Sequence, residues 1–254
     1  MPDAVCQASF VLTVAECKRL IAKGVRRHPA VWAALSDGIV AVAKGSTNAY
    51  VAEELAEEGI YKPHYCTGTT RPAAGESDVE VANKLPDLVL HKGERVEGVS
   101  ATEIVGDMGP GDVFIKGANA LNYERGHAGI LIGHPTGGTI GAAIGTVVAR
   151  RAHLLLPVGL EKSVPHDLNG LYHRLTEAGE KGSGPTLWPV EGEIFTEIEA
   201  LGAACGVKAA AIGAGGILGA EGGLRMSVWG AADEIERAKG FISGIHGEPA
   251  FGRD

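Results

Sequence analysis

Short apolar runs and longer amphipathic stretches alternate along the first two thirds of this chain. GIVAVA (38–43), DLVLH (87–91), DVFIK (112–116), AGILI (128–132) and HLLLPV (153–158) are compact apolar runs of strand length. Such runs are typical of strands buried on both faces. Between them the spacing becomes helical. Thr13 with Glu16 three residues later forms a capping-box pattern that opens a helix over 13–23. A second short helix is expected from Pro29 to near Gly38, a third from Asn48 to about Glu58, and a fourth from Thr136 to Arg151. Strands alternating with helices predict an α/β fold with a doubly wound, mostly parallel sheet.

The stretch EAGEKGSGP (177–185) interrupts this rhythm and marks the expected boundary between residues 1–182 and 183–254. Beyond it the pattern predicts strand 186–190, helix 193–204, strand 207–213, strand 223–229, helix 231–243 and a short strand near 248–251. That βαββαβ order is the signature of a ferredoxin-like unit.

Composition narrows the functional classes. A net charge of -8 is spread along the chain without a basic patch, which argues against nucleic acid as a partner. No apolar run is long enough for a membrane span, and the N-terminus carries Asp3 and Glu16 rather than a basic leader. Cys6, Cys17, Cys66 and Cys205 are widely spaced and form no CxxC pair, so reduced thiols in a cytoplasmic protein are expected. The nine histidines show no HxxxH or HExxH spacing, and no metal is expected.

The chemistry concentrates in three turns. Lys44-Gly45-Ser46-Thr47-Asn48 follows a strand and opens a helix, where backbone N–H groups and hydroxyls can receive phosphate or carboxylate. An ordinary capped β-to-α turn explains it equally well. Lys116 follows the apolar run 112–115, and so is expected at a strand's carboxyl end. There Gly117 allows close approach of a ligand, and Asn119 and Asn122 add polar reach. Asp107 and Glu124 flank Lys116 as a candidate acid pair for proton transfer, with Lys116 stabilising a developing oxyanion. The alternative is a surface turn with a solvated ion pair. Thr136, Gly137 and Gly138 open a further helix as a second candidate anion site, with Thr136 as its cap. Gly137, Gly141 and Gly145 at helical spacing also fit simple close packing. His64, Cys66 and Arg71 read as a loop, because no partner acid supports catalysis there. The glycines of 213–219 lie between two predicted strands, which is the wrong context for a dinucleotide loop.

Gly45-Ser46-Thr47, then Lys116-Gly117 with an acid on either side, resembles the ribose-5-phosphate isomerase family. The resemblance implies that Ser46 and Thr47 hold a sugar phosphate, that Lys116 and Gly117 are the lysine–glycine pair, and that Asp107 and Glu124 are the acids. KGAN stands here where that family has KGGG, and its closely spaced aspartate pair is missing. A second stretch, VGLEKSVP (158–165), is similar to the lactate-utilisation (LUD) domain. Both families share a fold with glucosamine-6-phosphate deaminases and CoA transferases. Together they imply an enzyme for a small phosphorylated or carboxylated metabolite, with aldose–ketose isomerisation as the leading reaction and no cofactor. A non-catalytic ligand-binding or regulatory protein is the alternative, and a homo-oligomer is compatible with either.

Overall fold

The computed structural model describes residues 5–67, 70 and 84–252. Its centre is a mixed six-stranded sheet. β2 (Ile39–Val42), β5 (Val113–Ile115), β8 (His153–Pro157) and β10 (Glu193–Phe195) run parallel. β3 (Leu88–His91) and β4 (Glu94–Arg95) add an antiparallel edge, giving the order β10-β8-β5-β2-β3-β4. β2 and β5 are buried at every position and β8 at all but its first, so both faces of the sheet are covered. This explains why these strands read as continuous apolar runs instead of alternating ones.

The helices begin and end where local chemistry directs. α1 (Val14–Val25) carries the complete capping box, with Thr13 accepting from the Glu16 N–H and Glu16 accepting from the Thr13 N–H. α2 (Pro29–Asp37) starts on proline and stops at Gly38. A side chain at Gly38 would place its Cβ 2.6 Å from Asp112 Oδ1, so that end requires glycine for space. α3 (Ser46–Ala56), α4 (Ala101–Ile104), α5 (Gly138–Arg150) and α6 (Leu168–Glu177) follow the strands. α7 (Glu197–Cys205) and α8 (Ala232–Ser243) belong to the last quarter of the chain. α1 packs against α3 and α7, and Gly24 permits it, because a Cβ there would lie 2.5 Å from that of Ala200.

Residues 193–195, expected to open a helix, instead form β10 at the edge of the main sheet, and α7 starts only at Glu197; two further pairings also differ from the sequence expectation. β7 (His127–Ile132), expected in the main parallel sheet, lies in a separate antiparallel sheet between β6 (Ala120–Asn122) and β9 (Thr186–Val190). Residues 248–251 form no strand; β1 (Cys6–Leu12), near the other end of the chain, pairs with β12 (Gly223–Gly230) instead. With β11 (Lys208–Gly215) they form a three-stranded sheet of order β1-β12-β11. The strand at 186–190 therefore does not begin a four-stranded βαββαβ sheet. One hydrophobic core runs continuously from Leu12 through Phe114 and Leu155 to Met226 and Ile242.

Asp112 fixes the amino end of the parallel sheet. Its two carboxylate oxygens accept from the N–H groups of Ile39 and Gly109, each at 2.6 Å. Asp112→Ala should cost about 2–3 kcal/mol, the loss of two charge-assisted bonds to partly buried donors. In a chain of this size that lowers the melting temperature by about 4–12 °C. Thermal melts of the variant beside the wild type would check this.

Candidate functional site

The register of the parallel strands decides which turns meet. Val42 lies beside Ile115, Ile115 beside Leu155, and Pro157 beside Phe195. The segments leaving their carboxyl ends, 43–48, 116–119, 158–163 and 196–197, are thereby brought together along one edge. Ligands bind at this edge in open α/β sheets.

Two lysines meet on one turn. Lys116 Nζ donates to the Gly117 carbonyl at 3.1 Å, and Lys162 Nζ donates to the next carbonyl, Ala118, at 3.0 Å. Loss of solvent and the neighbouring Lys162 charge bring Lys116 down to about 8. Lys162 is also lowered, by burial first, although Glu161 opposes the shift. Lys162 further reaches Thr47 Oγ1 at 3.4 Å, so the turn at α3 belongs to the same site.

That turn combines an exact local fit with open donors. Asn48 is fully buried and its Nδ2 donates to Ala43 and Ile115 carbonyls at 2.7 and 3.3 Å, tying the ends of β2 and β5. Its Oδ1 has no hydrogen-bond partner among the described residues and faces Gly117, where a Cβ would lie 3.5 Å away. No side chain caps α3, which leaves N–H groups at its start for an anion. The Gly45 N–H is already given to the Tyr65 carbonyl at 3.0 Å.

Carboxyl groups complete the site, but not those expected. Asp107 is exposed and precedes β5, so it sits towards the amino end of the strand that Lys116 leaves. The rise from residue 112 to 116 alone is about 13 Å. Glu124 is exposed in the turn joining β6 to β7, and no hydrogen bond or ion pair among the described residues joins it to Lys116. Glu161 and Glu197 stand there in their place. Glu197, the first residue of α7, is fully buried, and its Oε2 accepts from the Leu160 N–H at 2.9 Å. Burial and the Glu161 charge push it up to about 8.

The remaining candidates are elsewhere or only structural. Asn119 is exposed and accepts from the Leu131 N–H at 3.0 Å, holding the start of β6 to β7. Asn122 donates to the His166 carbonyl at 3.1 Å. Gly137, not Thr136, is the N-cap of α5, and its φ of +85° suits glycine. Thr136 instead contacts His134 Nδ1 at 2.9 Å, and none of the contacts of Thr136, Gly137 or Gly138 reaches Lys116. Cys66 is half-buried with its thiol pushed up to about 11 by burial. His64 packs on Tyr61, and Arg71 lies outside the described residues.

At the amino ends of β8 and β10 the fold gathers His28, His153 and Glu193, a donor set that sequence spacing does not show. Glu193 lies 2.9 Å from His28 Nε2 and 2.6 Å from His153 Nε2. Those are hydrogen-bond separations, shorter than the roughly 3.3 Å between two donors of a tetrahedral zinc. The Ala30 N–H also donates to His28 Nδ1, which leaves Nε2 as the protonated nitrogen facing Glu193. Through the His28–Glu193 hydrogen bond the cluster braces the start of α2 against the sheet.

Comparisons with protein-family models, curated proteins and solved structures found no match to this chain. Among the described residues no helix is long and apolar enough to cross a membrane.

Proposed function

We propose that the chain binds a small phosphorylated or carboxylated metabolite at the edge formed by Lys116, Lys162 and the start of α3, and transforms it by proton transfer. The observation that carries this reading is the pair of desolvated lysines on consecutive carbonyls, next to uncapped helix N–H groups. Two like charges drawn out of water repel one another and lose hydration; an anion between them relieves both costs. The likeness to the ribose-5-phosphate isomerase and CoA-transferase group, with its doubly wound sheet, is part of the proposal. It makes aldose–ketose isomerisation of a sugar phosphate the leading reaction. Lys116 would then face the oxyanion of the enediolate, and Ser46 and Thr47 the phosphate.

The second reading is a ligand-binding protein without turnover. One observation favours it: Asp107 and Glu124, the acids the likeness implies, stand apart from Lys116. A thermal-shift series with inorganic phosphate, pentose phosphates, acyl-CoAs and hydroxy acids, followed by isomerase assays on whatever stabilises, tests both. A ligand at a hundred times its Kd should add about 2.7 kcal/mol of stability. Stabilisation with turnover supports the isomerase. Stabilisation without it supports the binding protein, and no shift with any anion removes the site.

A further inference from the structure

Both oxygens of Glu161 are sealed from solvent and have no hydrogen-bond partner among the described residues. Such acceptors are costly to bury, and a native fold retains them where a ligand or a function completes them. Glu161 is placed by a glycine. An added Cβ at Gly159 would lie 1.7 Å from Glu161 Oε2, so the carboxylate occupies the space of a missing side chain. Gly159 has φ -73° and ψ 148°, a conformation open to any residue. Glycine is therefore needed here for the carboxylate and not for the backbone.

Glu197 approaches from α7 and is bound to the N–H of Leu160, the residue between Gly159 and Glu161. Its Oε1 also has no hydrogen-bond partner among the described residues, although the side chain is fully buried. With Asn48 Oδ1, a second fully buried acceptor is left without a donor in the same site. The groups acting on the pair are Lys162 on the same turn and the Cys17 thiol from α1. Burial and the Glu161 charge push the Glu197 carboxyl up to about 8, which keeps a proton on it at neutral pH.

We infer that Glu161 is the proton-transferring carboxylate of this site and that Glu197, bound to the N–H of the preceding Leu160, is the residue that positions it. This rests on the functional reading above and replaces the acids it lost. In an aldose–ketose isomerisation, Glu161 takes the proton from the hydroxyl-bearing carbon beside the carbonyl. The C–H electron pair forms the enediolate double bond, with its oxygen charge facing Lys116. Glu161 returns the proton to the former carbonyl carbon, and the hydroxyl proton passes to the other oxygen. Nothing is oxidised overall and the Glu197 proton stays in place.

The test uses the whole chain as wild type, G159A, E161Q and E197Q. Carboxyl-carbon NMR on glutamate-labelled protein should show a carboxylic acid persisting at neutral pH in the wild type. It should vanish in E197Q, and in G159A, where Glu161 is displaced, the Glu197 midpoint should fall. With ribose 5-phosphate, solvent deuterium entry into the sugar should slow about a hundredfold or more in E161Q and G159A. In E197Q the pH–rate profile should lose the limb near pH 8 that the Glu197 proton gives the wild type. Stabilisation by inorganic phosphate should persist in all four proteins. A wild type with no protonated carboxyl at neutral pH, or exchange that survives E161Q while phosphate still binds, overturns the assignment and leaves the anion site standing. Failure of every protein to bind phosphate or sugar phosphate overturns the site, and the assignment with it.

Discussion

Under the proposed function, replacing Lys162 with methionine should abolish most of the stabilisation expected from phosphate, weakening binding by about ten- to a hundredfold. That is the range for removing one charge-assisted hydrogen bond of about 1.5–3 kcal/mol. Methionine keeps the apolar stem, so lost packing is a minor part of the effect. The substitution has a second signature that a simple loss of fold would not give. Lys116 is held down at about 8 by burial and by the Lys162 charge. With that charge gone its midpoint should rise part of the way back, the burial contribution remaining. The sign matters for stability. A lysine whose folded midpoint is depressed favours the folded state above its ordinary titration range and opposes it below, where the unfolded chain takes up the proton more readily. Wild-type stability should therefore rise between pH 8 and 10 by more than that of Lys162→Met. Lysine-selective NMR titration with thermal melts over that range measures both. An unchanged Lys116 midpoint would show that the two ammonium groups do not share a site.

The parts of the proposed site were legible in the sequence wherever a strand ran into a charged residue. The run 112–115 pointed to Lys116, and 38–43 to the turn at Ser46–Asn48. The same rule applied to 153–158 leads directly to Glu161 and Lys162, whereas Glu197 was concealed because residues 193–195 read as the start of a helix and not as β10. What hid them is separation along the chain: Thr47 and Lys162 are 115 residues apart yet in contact. Asp107 illustrates the opposite error. It is close to Lys116 in sequence but precedes the strand, and in a parallel sheet the two ends of one strand belong to different edges.

The misread pairings have equally local causes. The run 128–132 contains no charge and no alternation, so nothing in it separates a central parallel strand from a small antiparallel sheet. The strand expected near 248–251 contains Pro249 between Gly247 and Gly252, all poor in a ladder. Its place is taken by β1, whose alternating burial is that of a strand with one solvent-facing side. Capping signals behaved differently. The Thr13–Glu16 box and the Pro29–Gly38 pair specify helix ends within a few residues and need no distant partner, so they transfer from sequence to structure intact.

Arg19→Met should destabilise the fold by about 3–5 kcal/mol, or roughly 6–20 °C in melting temperature. Arg19 lies on α1 with only 12% of its side chain exposed. Its guanidinium grips Glu248 through two bonds of 2.8 and 2.9 Å, contacts Glu53 and Glu54 on α3, and stacks over Tyr50. Removing it leaves three carboxylates converging on Lys62 and Lys23 alone. Burial by itself would raise the Glu53 midpoint, but Arg19, the Ile60 N–H and Lys62 outweigh it and hold the group below its ordinary value. Its stabilising contribution is thus present above the ordinary carboxylate midpoint and disappears as pH falls through the depressed one. In the methionine variant the crowded carboxylates repel, and protonation relieves them. The wild-type and variant melting temperatures should accordingly converge as pH falls from 7 towards 3, which circular-dichroism melts would show. A gap that stays constant across that range would mean that Arg19 acts through packing on Tyr50 and not through its charge. Because α3 also opens the proposed anion site at Ser46–Asn48, this network ties the stability of the fold to the helix whose N-terminus that reading uses.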